Sequence, residues 1–352
     1  MYSIDFISLK SFPMLEQDWK LLQRGKDMTY FQQYEWYKIL VDLNKEIRNK
    51  NFEYLFARVQ KNGKTVLIAP LWIIKKTFAK FNKKGVYIFG RAQWSDYLNF
   101  IYNQFDPTSI DFLFTQIKLK YGIYNYILED IQQESELAQY IITKFHLENL
   151  EQSICVNLNI PNNEEEYKKL LSKNSKQNIR TAFNRAETDG ISFVFNFDDK
   201  SVNLDEFKKY RNIRLLEKNQ SYQNIISRLK YFISSKILHR GYYKYPEYAP
   251  FTHDTNSKFI TIKSKEGELC AAFNYGMDKV HSQIVLMAVS TNPKYYKYSP
   301  GILALYKYII NETNYKNIKL IDFTRGNERY KYVLGGTYSG AYPFTFRQLI
   351  RV

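Results

Sequence analysis

Hydrophobic residues recur along this chain at two different spacings, which predicts a mixture of helices and strands. Apolar positions three and four residues apart indicate helices at 14–24 and 31–48. Two largely apolar segments then flank the dipeptide Asn62-Gly63, which favours a two-residue hairpin turn. The rest of the first half predicts strands at 52–60, 64–75, 86–89, 126–129 and 154–158, and helices at 107–119 and 134–145.

The second half of the chain repeats the same succession of elements. Its pattern predicts helices at 163–171, 175–188, 204–217 and 222–238, and strands at 191–195, 258–263, 269–275, 282–289 and 318–323. Each half therefore combines helices, an antiparallel hairpin, a further strand, a helix and a strand. This succession predicts an α+β fold class with two domains, 1–152 and 153–352.

The charge of the chain adds a preference for anionic partners. Its 352 residues carry a formal net charge of +16. A basic excess of this size favours tRNA, nucleotide-sugars, CoA or an anionic membrane surface. Joint enrichment in Lys, Asn, Ile, Tyr and Phe is also what a low-GC genome produces, so the charge has a second explanation.

Several classes of protein are disfavoured by composition. Two cysteines, Cys155 and Cys270, are too few for a disulfide framework, and the four histidines have no metal-ligand spacing, so we expect no metal. No run of about 18 apolar residues occurs, so we expect no transmembrane helix. The first residues lack the pattern of a signal peptide. These features predict a cytoplasmic protein.

The segment from 284 to 301 is the strongest candidate for a binding site. An apolar strand leads into a basic, aromatic loop containing Lys294 and Lys297, and the loop leads into a helix that starts with Ser-Pro-Gly at 299–301. The Ser stands at the N-cap position. Such a helix start offers unpaired N–H groups and the positive end of the helix dipole to a phosphate or pyrophosphate. The alternative is a well-capped helix start with no ligand.

Charged side chains and a phenol are concentrated just after the last predicted strand. Asp322 or Glu328 could deprotonate an attacking amine, and Tyr330 could protonate a leaving thiolate. Arg325 and Lys331 could hold a carboxylate or phosphate of an acceptor. The alternative is a capped turn, in which Asp322 accepts backbone N–H bonds and Lys331 lies on a solvated face.

An apolar strand, a helix that starts with Ser-Pro-Gly at 299–301, a second strand that ends in Asp322-Phe323 and the charged segment after it follow one another along the chain. This order resembles that of the GNAT-like acyltransferases of bacterial cellulose and polysaccharide biosynthesis. These are double-GNAT proteins, distantly related to the FemABX peptidyltransferases. The resemblance covers most of the chain, through segments similar to the family's first helix, first long hairpin and central Ser-Asp-Tyr motif, at 31–36, 66–72 and 95–97. The chain departs from the family at 297–301, which stands in place of the ordinary GNAT phosphate loop.

The resemblance implies two GNAT-like domains, each a mixed, mainly antiparallel sheet flanked by helices. It also implies an acyl-CoA co-substrate, with acetyl-CoA the expected one. The pantetheine arm would pair with a strand that splays from its neighbour at 285–289. The residues implied in donor binding are Met287, Val289, Lys294, Lys297, Tyr298, Ser299, Pro300 and Gly301.

Further residues are implied on the acceptor side, in a cleft between the two halves. Ser95 and Tyr97 would contact the acceptor, and Asp96 would orient it for reaction. Lys176 and Arg180, on one face of the basic helix, would bind phosphate. The alternatives are an Asx-type turn at Asp96 and a solvated face for the basic helix.

The activity implied by the resemblance is acyl transfer to an amino or hydroxyl group of a sugar or related acceptor in surface-polysaccharide biosynthesis. The glycan or small-molecule acceptor would attack the thioester directly, because neither cysteine has a basic neighbour to activate it. Peripheral association with an anionic membrane or a polysaccharide synthase would suit the charge. Two alternatives stay open: a FemABX-type transferase that uses aminoacyl-tRNA, and a non-catalytic GNAT scaffold that binds a nucleic acid or a synthase.

Overall fold

The computed structural model describes residues 1–47, 49–76, 83–90, 95–218, 258–339 and 343–352. The predicted helix at 222–238 lies outside them. The described residues form two compact units, which we call unit 1 (residues 1–154 and 343–352) and unit 2 (the described part of 155–339). This division differs from the expected one at the end of the chain, because residues 343–352 belong to unit 1.

Unit 1 is a mixed sheet flanked by helices. Its strands are β1 (Tyr2–Ser8), β2 (Phe52–Lys61), β3 (Lys64–Ile74), β4 (Gly85–Ile88), β5 (Asn125–Gln132), the first half of β6 (Glu151–Asn159) and β12 (Phe344–Arg351), and its helices are α1 (Glu16–Leu22), α2 (Tyr34–Asn44), α3 (Pro107–Tyr121) and α4 (Glu136–Lys144). The strand order is β1-β2-β3-β4-β5-β12-β6. Only the pair of β4 and β5 is parallel.

Unit 2 has the same plan. Its strands are the second half of β6, β7 (Phe193–Asp199), β8 (Lys258–Ser264), β9 (Leu269–Asp278), β10 (Gln283–Thr291) and β11 (Leu320–Arg325), and its helices are α5 (Glu164–Leu170), α6 (Lys173–Thr188), α7 (Leu204–Lys218), α8 (Pro300–Tyr315) and α9 (Arg329–Val333). The strand order is β6-β11-β10-β9-β8-β7. Only β10 and β11 are parallel.

The expected fold class is confirmed in both units: each is a mixed, mainly antiparallel sheet with helices. The predicted hairpin is also confirmed, because β2 and β3 are joined at Asn62 and Gly63, whose φ angles are 52° and 78°. Two predicted helices are shorter than expected. A 3-10 turn at Tyr30–Gln32 precedes α2, where Thr29 and Gln32 form a capping box. A 3-10 segment at Leu9–Leu15 precedes α1.

The core of unit 1 is largely aromatic. Trp19 is fully buried, with its ring centroid 4.8 Å from that of Tyr37 and 5.5 Å from that of Phe56. Its indole Nε1 donates to the carbonyl of Gln32 at 2.8 Å, so the polar atom of this side chain is also satisfied. Among the residues that the structure describes, no helix combines the length and the apolarity needed to cross a bilayer.

In unit 2, a buried carboxylate fixes the edge strand β7. The carboxylate of Asp199 lies 2.8 Å from Lys263 Nζ and accepts bonds from Thr261 Oγ1 and the amide of Ser201, at 3.0 and 2.8 Å. Burial alone would raise the pKa of Asp199, but the ammonium group and these donors outweigh it and lower the pKa to about 2. Ionised Asp199 therefore stabilises the folded state.

We expect Asp199→Asn to lower the free energy of unfolding by about 1–2 kcal/mol at pH 7, after allowing for screening by water at the sheet edge. A depressed folded-state pKa gives stability that is present above the unfolded pKa of 3.8 and is lost as the pH falls towards 2. The difference in unfolding free energy between wild type and Asp199→Asn, measured by urea unfolding, should therefore shrink as the pH falls from 3.8 towards 2.

The matched control is Asp198→Asn, because Asp198 is half exposed in its pair with Lys258. Its effect should stay below about 0.5 kcal/mol. An Asp199→Asn penalty that does not change between pH 6 and pH 2 would contradict the electrostatic explanation.

Candidate functional site

The candidate site lies where two parallel strands of unit 2 diverge. β10 and β11 pair over three residues, from Gln283 opposite Leu320 to Val285 opposite Asp322. Beyond this point β10 and β11 no longer pair with each other, although each still pairs with its other neighbour in the sheet. The splay that we predicted for 285–289 is therefore present from Leu286 onwards. On this side the Leu286 carbonyl of β10 accepts from Thr324 Oγ1 at 3.5 Å, and the later backbone groups of β10 have no strand partner among the described residues.

A β-bulge lies at the start of the divergence. In the pairing of β10 with β9, Leu286 is opposite Tyr275 and Ala288 is opposite Asn274, so Met287 is the additional residue. A bulge bends the strand that carries it and increases its twist. Met287, predicted to bind the donor, thus marks the point where β10 turns away.

The N-terminus of α8 lies after the end of β10, beyond a 3-10 turn at Pro293–Tyr298. Ser299 occupies the N-cap position, but with φ 48° and ψ 49°, and its side chain makes no capping hydrogen bond. The expectation of a capping serine is therefore wrong in this respect, because the left-handed backbone does not direct the hydroxyl to the first-turn amides. The carbonyl of Ser299 accepts from Ile302 and Leu303, at 3.0 and 3.2 Å.

Gly301 allows the first turn of α8 to approach the sheet closely. A Cβ atom at this position would lie 3.3 Å from Cζ of Phe273 on β9. Pro300 has no N–H, and the amide of Gly301 belongs to the first turn, where a helix has no acceptor for it. The helix start therefore presents a small backbone surface with positive character.

These elements enclose a cavity of about 300 Å³. It is lined by Arg214 and Glu217 of α7, Phe273, Val289, Thr291, Tyr296, Ser299, Pro300, Gly301, Ile302 and Tyr330. The structure therefore brings together four predicted donor residues, from β10 and α8, and one predicted catalytic residue, Tyr330. Such a volume is at the lower end of the range for small-molecule sites.

Six lining residues were not predicted. Arg214 and Glu217 are three residues apart on a helix rich in charged side chains, so nothing in the sequence distinguished them. Phe273 and Thr291 belong to strand patterns, and Ile302 to a helix pattern, that predict only packing. Tyr296 lies in the basic, aromatic loop that was predicted to lead into the donor site. That loop was the one sequence feature that pointed to any of these six residues.

The two loop lysines lie outside the cavity lining and have carboxylate partners. Lys294 pairs with Glu268, and Lys297 Nζ lies 2.7 Å from Asp189 Oδ2. Tyr298 is buried and donates its hydroxyl to the same Asp189 at 2.7 Å. In this structure these predicted donor residues fix the loop to its surroundings, and binding an anion would require both lysines to leave their partners.

Tyr330 reaches the cavity from the start of α9. Its ring packs against Phe273 and Phe323, with centroids 6.3 Å apart in both cases. Burial, with a smaller contribution from the negative charge of Glu328, raises the pKa of Tyr330 above its usual value. The phenol therefore stays protonated at neutral pH, as a proton donor must.

Lys331 holds the loop that carries Tyr330. Its side chain is only 2% exposed, and Nζ lies 3.0, 2.9 and 3.0 Å from the carbonyl oxygens of Thr324, Arg325 and Gly326. Nζ also lies 3.1 Å from Glu328 Oε2. The predicted acceptor-binding Lys331 and the predicted base Glu328 are thus partners of each other within the loop.

Asp322 is buried in β11 and is absent from the cavity lining. Its Oδ1 accepts from the amide of Thr324 at 2.7 Å. For Asp322 this geometry corresponds to the capping alternative, but the solvated Lys331 of that alternative is wrong, because Lys331 is buried against the loop carbonyls. Arg325, the other charged residue of this strand end, is paired through its backbone with Cys155 of β6.

The corresponding gap in unit 1 is filled by the chain itself. β4 and β5 pair in parallel over only two residues. Beyond them, the amide of Leu98 donates to the carbonyl of Asp130 at 2.9 Å, and Ile101 exchanges two bonds with Ile68 of β3. Phe100 between them is fully buried. In the described part of unit 1, the space between these strands is therefore occupied by residues 98–101.

The central Ser-Asp-Tyr motif is packed within unit 1. Ser95 is buried and accepts from Trp36 Nε1 at 2.9 Å, while Tyr97 is buried and its carbonyl accepts from Gln32 Nε2 at 2.9 Å. Asp96 is partly exposed. The contacts of Ser95 and Tyr97 are structural, and a role for this motif in acceptor binding stays a prediction.

The basic residues of α6 form an exposed face. Lys176 and Arg180 are both exposed, and Arg180 bonds to Gln177 on its own helix. Neither lines the cavity. In the described residues, no group of three or more His, Cys, Asp and Glu side chains is placed to hold a metal ion.

Comparisons with known proteins relate the chain to others through its fold. No family model and no curated protein matches the sequence. Among solved structures, FemX matches with a TM-score of 0.58 at 10% identity, covering 95% of this chain and 94% of FemX. The C-terminal domain of a lysylphosphatidylglycerol synthetase from Agrobacterium fabrum matches with a TM-score of 0.52 at 10% identity, covering 96% and 92%.

A tandem GNAT protein from the clavulanic acid biosynthesis pathway has a TM-score of 0.49 at 7% identity, covering 99% of this chain and 98% of its own. That value is too low to carry an argument. The two stronger matches span almost the whole of both chains, and they show a shared fold. The chain therefore shares the fold of FemX.

Proposed function

We propose that the protein transfers an acyl group from acyl-CoA to an amino or hydroxyl group of an acceptor. The observation that carries the proposal is the cavity in unit 2. There a diverging strand, a helix N-terminus and a protonated tyrosine meet. These three features match the three parts of an acyl-CoA: an amide-containing arm, a pyrophosphate and a thioester.

Each part of the donor has a partner in this arrangement. The pantetheine arm would pair with backbone groups of β10 beyond Leu286, as an added strand does. The pyrophosphate would lie against the first turn of α8 at Gly301. The thioester would then lie near Tyr330, on the apolar surface formed by Phe273 and Val289.

The proposed reaction is a direct attack. The acceptor nitrogen or oxygen bonds to the thioester carbon and releases its proton to solvent water, and the C–S bond breaks. The leaving thiolate takes the proton of Tyr330, which is later restored from water. A cysteine intermediate is disfavoured because Cys155 is fully buried, and burial raises the pKa of Cys270 to about 12.

The proposed acceptor is a sugar or amino sugar of a surface polysaccharide, and the proposed location is the cytoplasm. Support for both comes from the motifs at 31–36, 66–72 and 95–97 and from the net charge of +16, which suits association with an anionic membrane or a synthase.

The second candidate is an aminoacyl-tRNA-dependent transferase. The fold likeness to FemX and the basic charge favour it.

We expect Gly301→Glu to abolish acetyl-CoA binding in isothermal titration calorimetry. The new carboxylate would stand at the proposed phosphate site, and its Cβ would meet the Phe273 ring. The matched control is Asn314→Glu, which adds the same charge to an exposed position near the other end of α8. Equal affinity of wild type and Gly301→Glu for acetyl-CoA would rule out this donor site.

The same titrations distinguish the second candidate. Binding of charged tRNA should fall steeply with salt concentration, because many phosphates are neutralised together, whereas a CoA site should give a shallow slope. Tight, strongly salt-dependent tRNA binding without CoA affinity would replace acyl-CoA by aminoacyl-tRNA as the donor.

We expect Tyr330→Phe to lower turnover by roughly 10²-fold, the usual scale for loss of a catalytic acid, with little change in donor affinity. Asp322→Asn tests the predicted base. As Asp322 is buried on the amide of Thr324, and Asn keeps that acceptor oxygen, we expect turnover near wild type. Turnover of both variants and of the wild type is measured in discontinuous assays with the same acceptor.

Two results would change the assignment. If turnover falls as much in Asp322→Asn as in Tyr330→Phe, Asp322 is the base after all. Normal turnover in Tyr330→Phe would leave catalysis to positioning alone.

A further inference from the structure

One charged side chain of the cavity has no hydrogen bond or ion pair within the described part of the chain. This is the guanidinium of Arg214, on α7. A partly buried cation is costly unless an anion or a polar group satisfies it. Arginine also binds phosphate through its planar fork of donors better than any other side chain.

The position of Arg214 follows from its neighbours in the cavity. Tyr296 and Tyr330 both have pKa values raised by burial, to about 12 in Tyr296, and the positive charge of Arg214 opposes the rise in each. Arg214, Tyr296 and Tyr330 all line the same cavity. The start of α8 at 299–301 lines the same cavity, so two sources of positive potential face one space.

The other cations of this region are already engaged. Lys294 is paired with Glu268, and Lys297 with Asp189. Neither lines the cavity. Glu217, one turn after Arg214, does line it, but its carboxylate is exposed and accepts from Tyr296 Oη at 2.9 Å. Water screens its charge more than that of the partly buried Arg214.

We propose that Arg214 binds a phosphate or pyrophosphate group of the donor in this cavity. The inference rests on the proposed donor site and assigns it a residue that the sequence did not indicate. The shared chemistry is a phosphate anion, which either CoA or the end of a charged tRNA can supply. Arg214 would thus do what the two loop lysines were expected to do.

The test compares Arg214→Gln with wild type, using three probes in calorimetry at two salt concentrations: inorganic pyrophosphate, CoA and pantetheine. Loss of a charge-assisted phosphate contact should weaken pyrophosphate and CoA about 10-fold or more. Pantetheine has no phosphate linked to it and should bind both proteins equally. Arg214→Lys should keep part of the affinity for both anions, and it covers the case in which Arg214→Gln fails to fold.

Two matched variants separate a local contact from a general charge effect. Lys209→Gln removes the same charge from an exposed position on the same helix and should bind all three probes like wild type. Glu217→Gln removes the opposing charge and should bind pyrophosphate more tightly. The double variant Lys294→Gln, Lys297→Gln tests the lysines. If the double lysine variant loses affinity for pyrophosphate and CoA while Arg214→Gln keeps it, the proposal is wrong.

The outcomes also distinguish this proposal from the function on which it rests. Binding of pyrophosphate and charged tRNA that depends on Arg214, with no CoA affinity, would support Arg214 and reject the acyl-CoA donor. CoA binding that is unchanged in Arg214→Gln would overturn the role of Arg214 and leave the donor intact. A wild type that binds neither CoA nor pyrophosphate would overturn both.

Discussion

The structure depends on one constraint: backbone N–H and C=O groups inside a protein need partners. Both units contain a parallel pair of strands that diverges after two or three residues, and divergence leaves such groups unpaired. Unit 1 meets this need with its own chain, through the bond between Leu98 and Asp130. Unit 2 leaves its gap open beside a cavity. The same topology therefore gives a closed core in one unit and the proposed donor site in the other.

The side of the cavity that carries Tyr330, the proposed proton donor, depends on a different kind of contact. Tyr330 stands on a short helix of five residues, which is too short to be stable alone. The buried ammonium of Lys331 holds the preceding loop through three carbonyls. The charged residues of segment 322–331 thus serve mainly to position the phenol of Tyr330. This explains why most of its charged residues have partners inside the loop.

Sequence patterns predicted most of the elements but few of the contacts between them. Periodicity gave the hairpin at Asn62-Gly63, the strand at 282–289 and the start of α8, because turn residues and apolar spacing act locally. It placed Lys294 and Lys297 near the donor, but their carboxylate partners come from other elements. Arg214 was missed for the same reason, since only tertiary packing brings α7 to the cavity. The last strand, β12, was missed because its partners precede it by most of the chain.

The position of β12 has a consequence for how the protein forms. In unit 1 this strand lies between β5 and the first half of β6, yet all of unit 2 separates it from them in sequence. During synthesis, the edges of β5 and β6 therefore emerge long before the strand that pairs with both. Long-range pairing of this kind is slow, and unpaired edges invite aggregation. The growing chain thus has an interval in which unit 1 is incomplete, because β5 and β6 are made before the strand that lies between them.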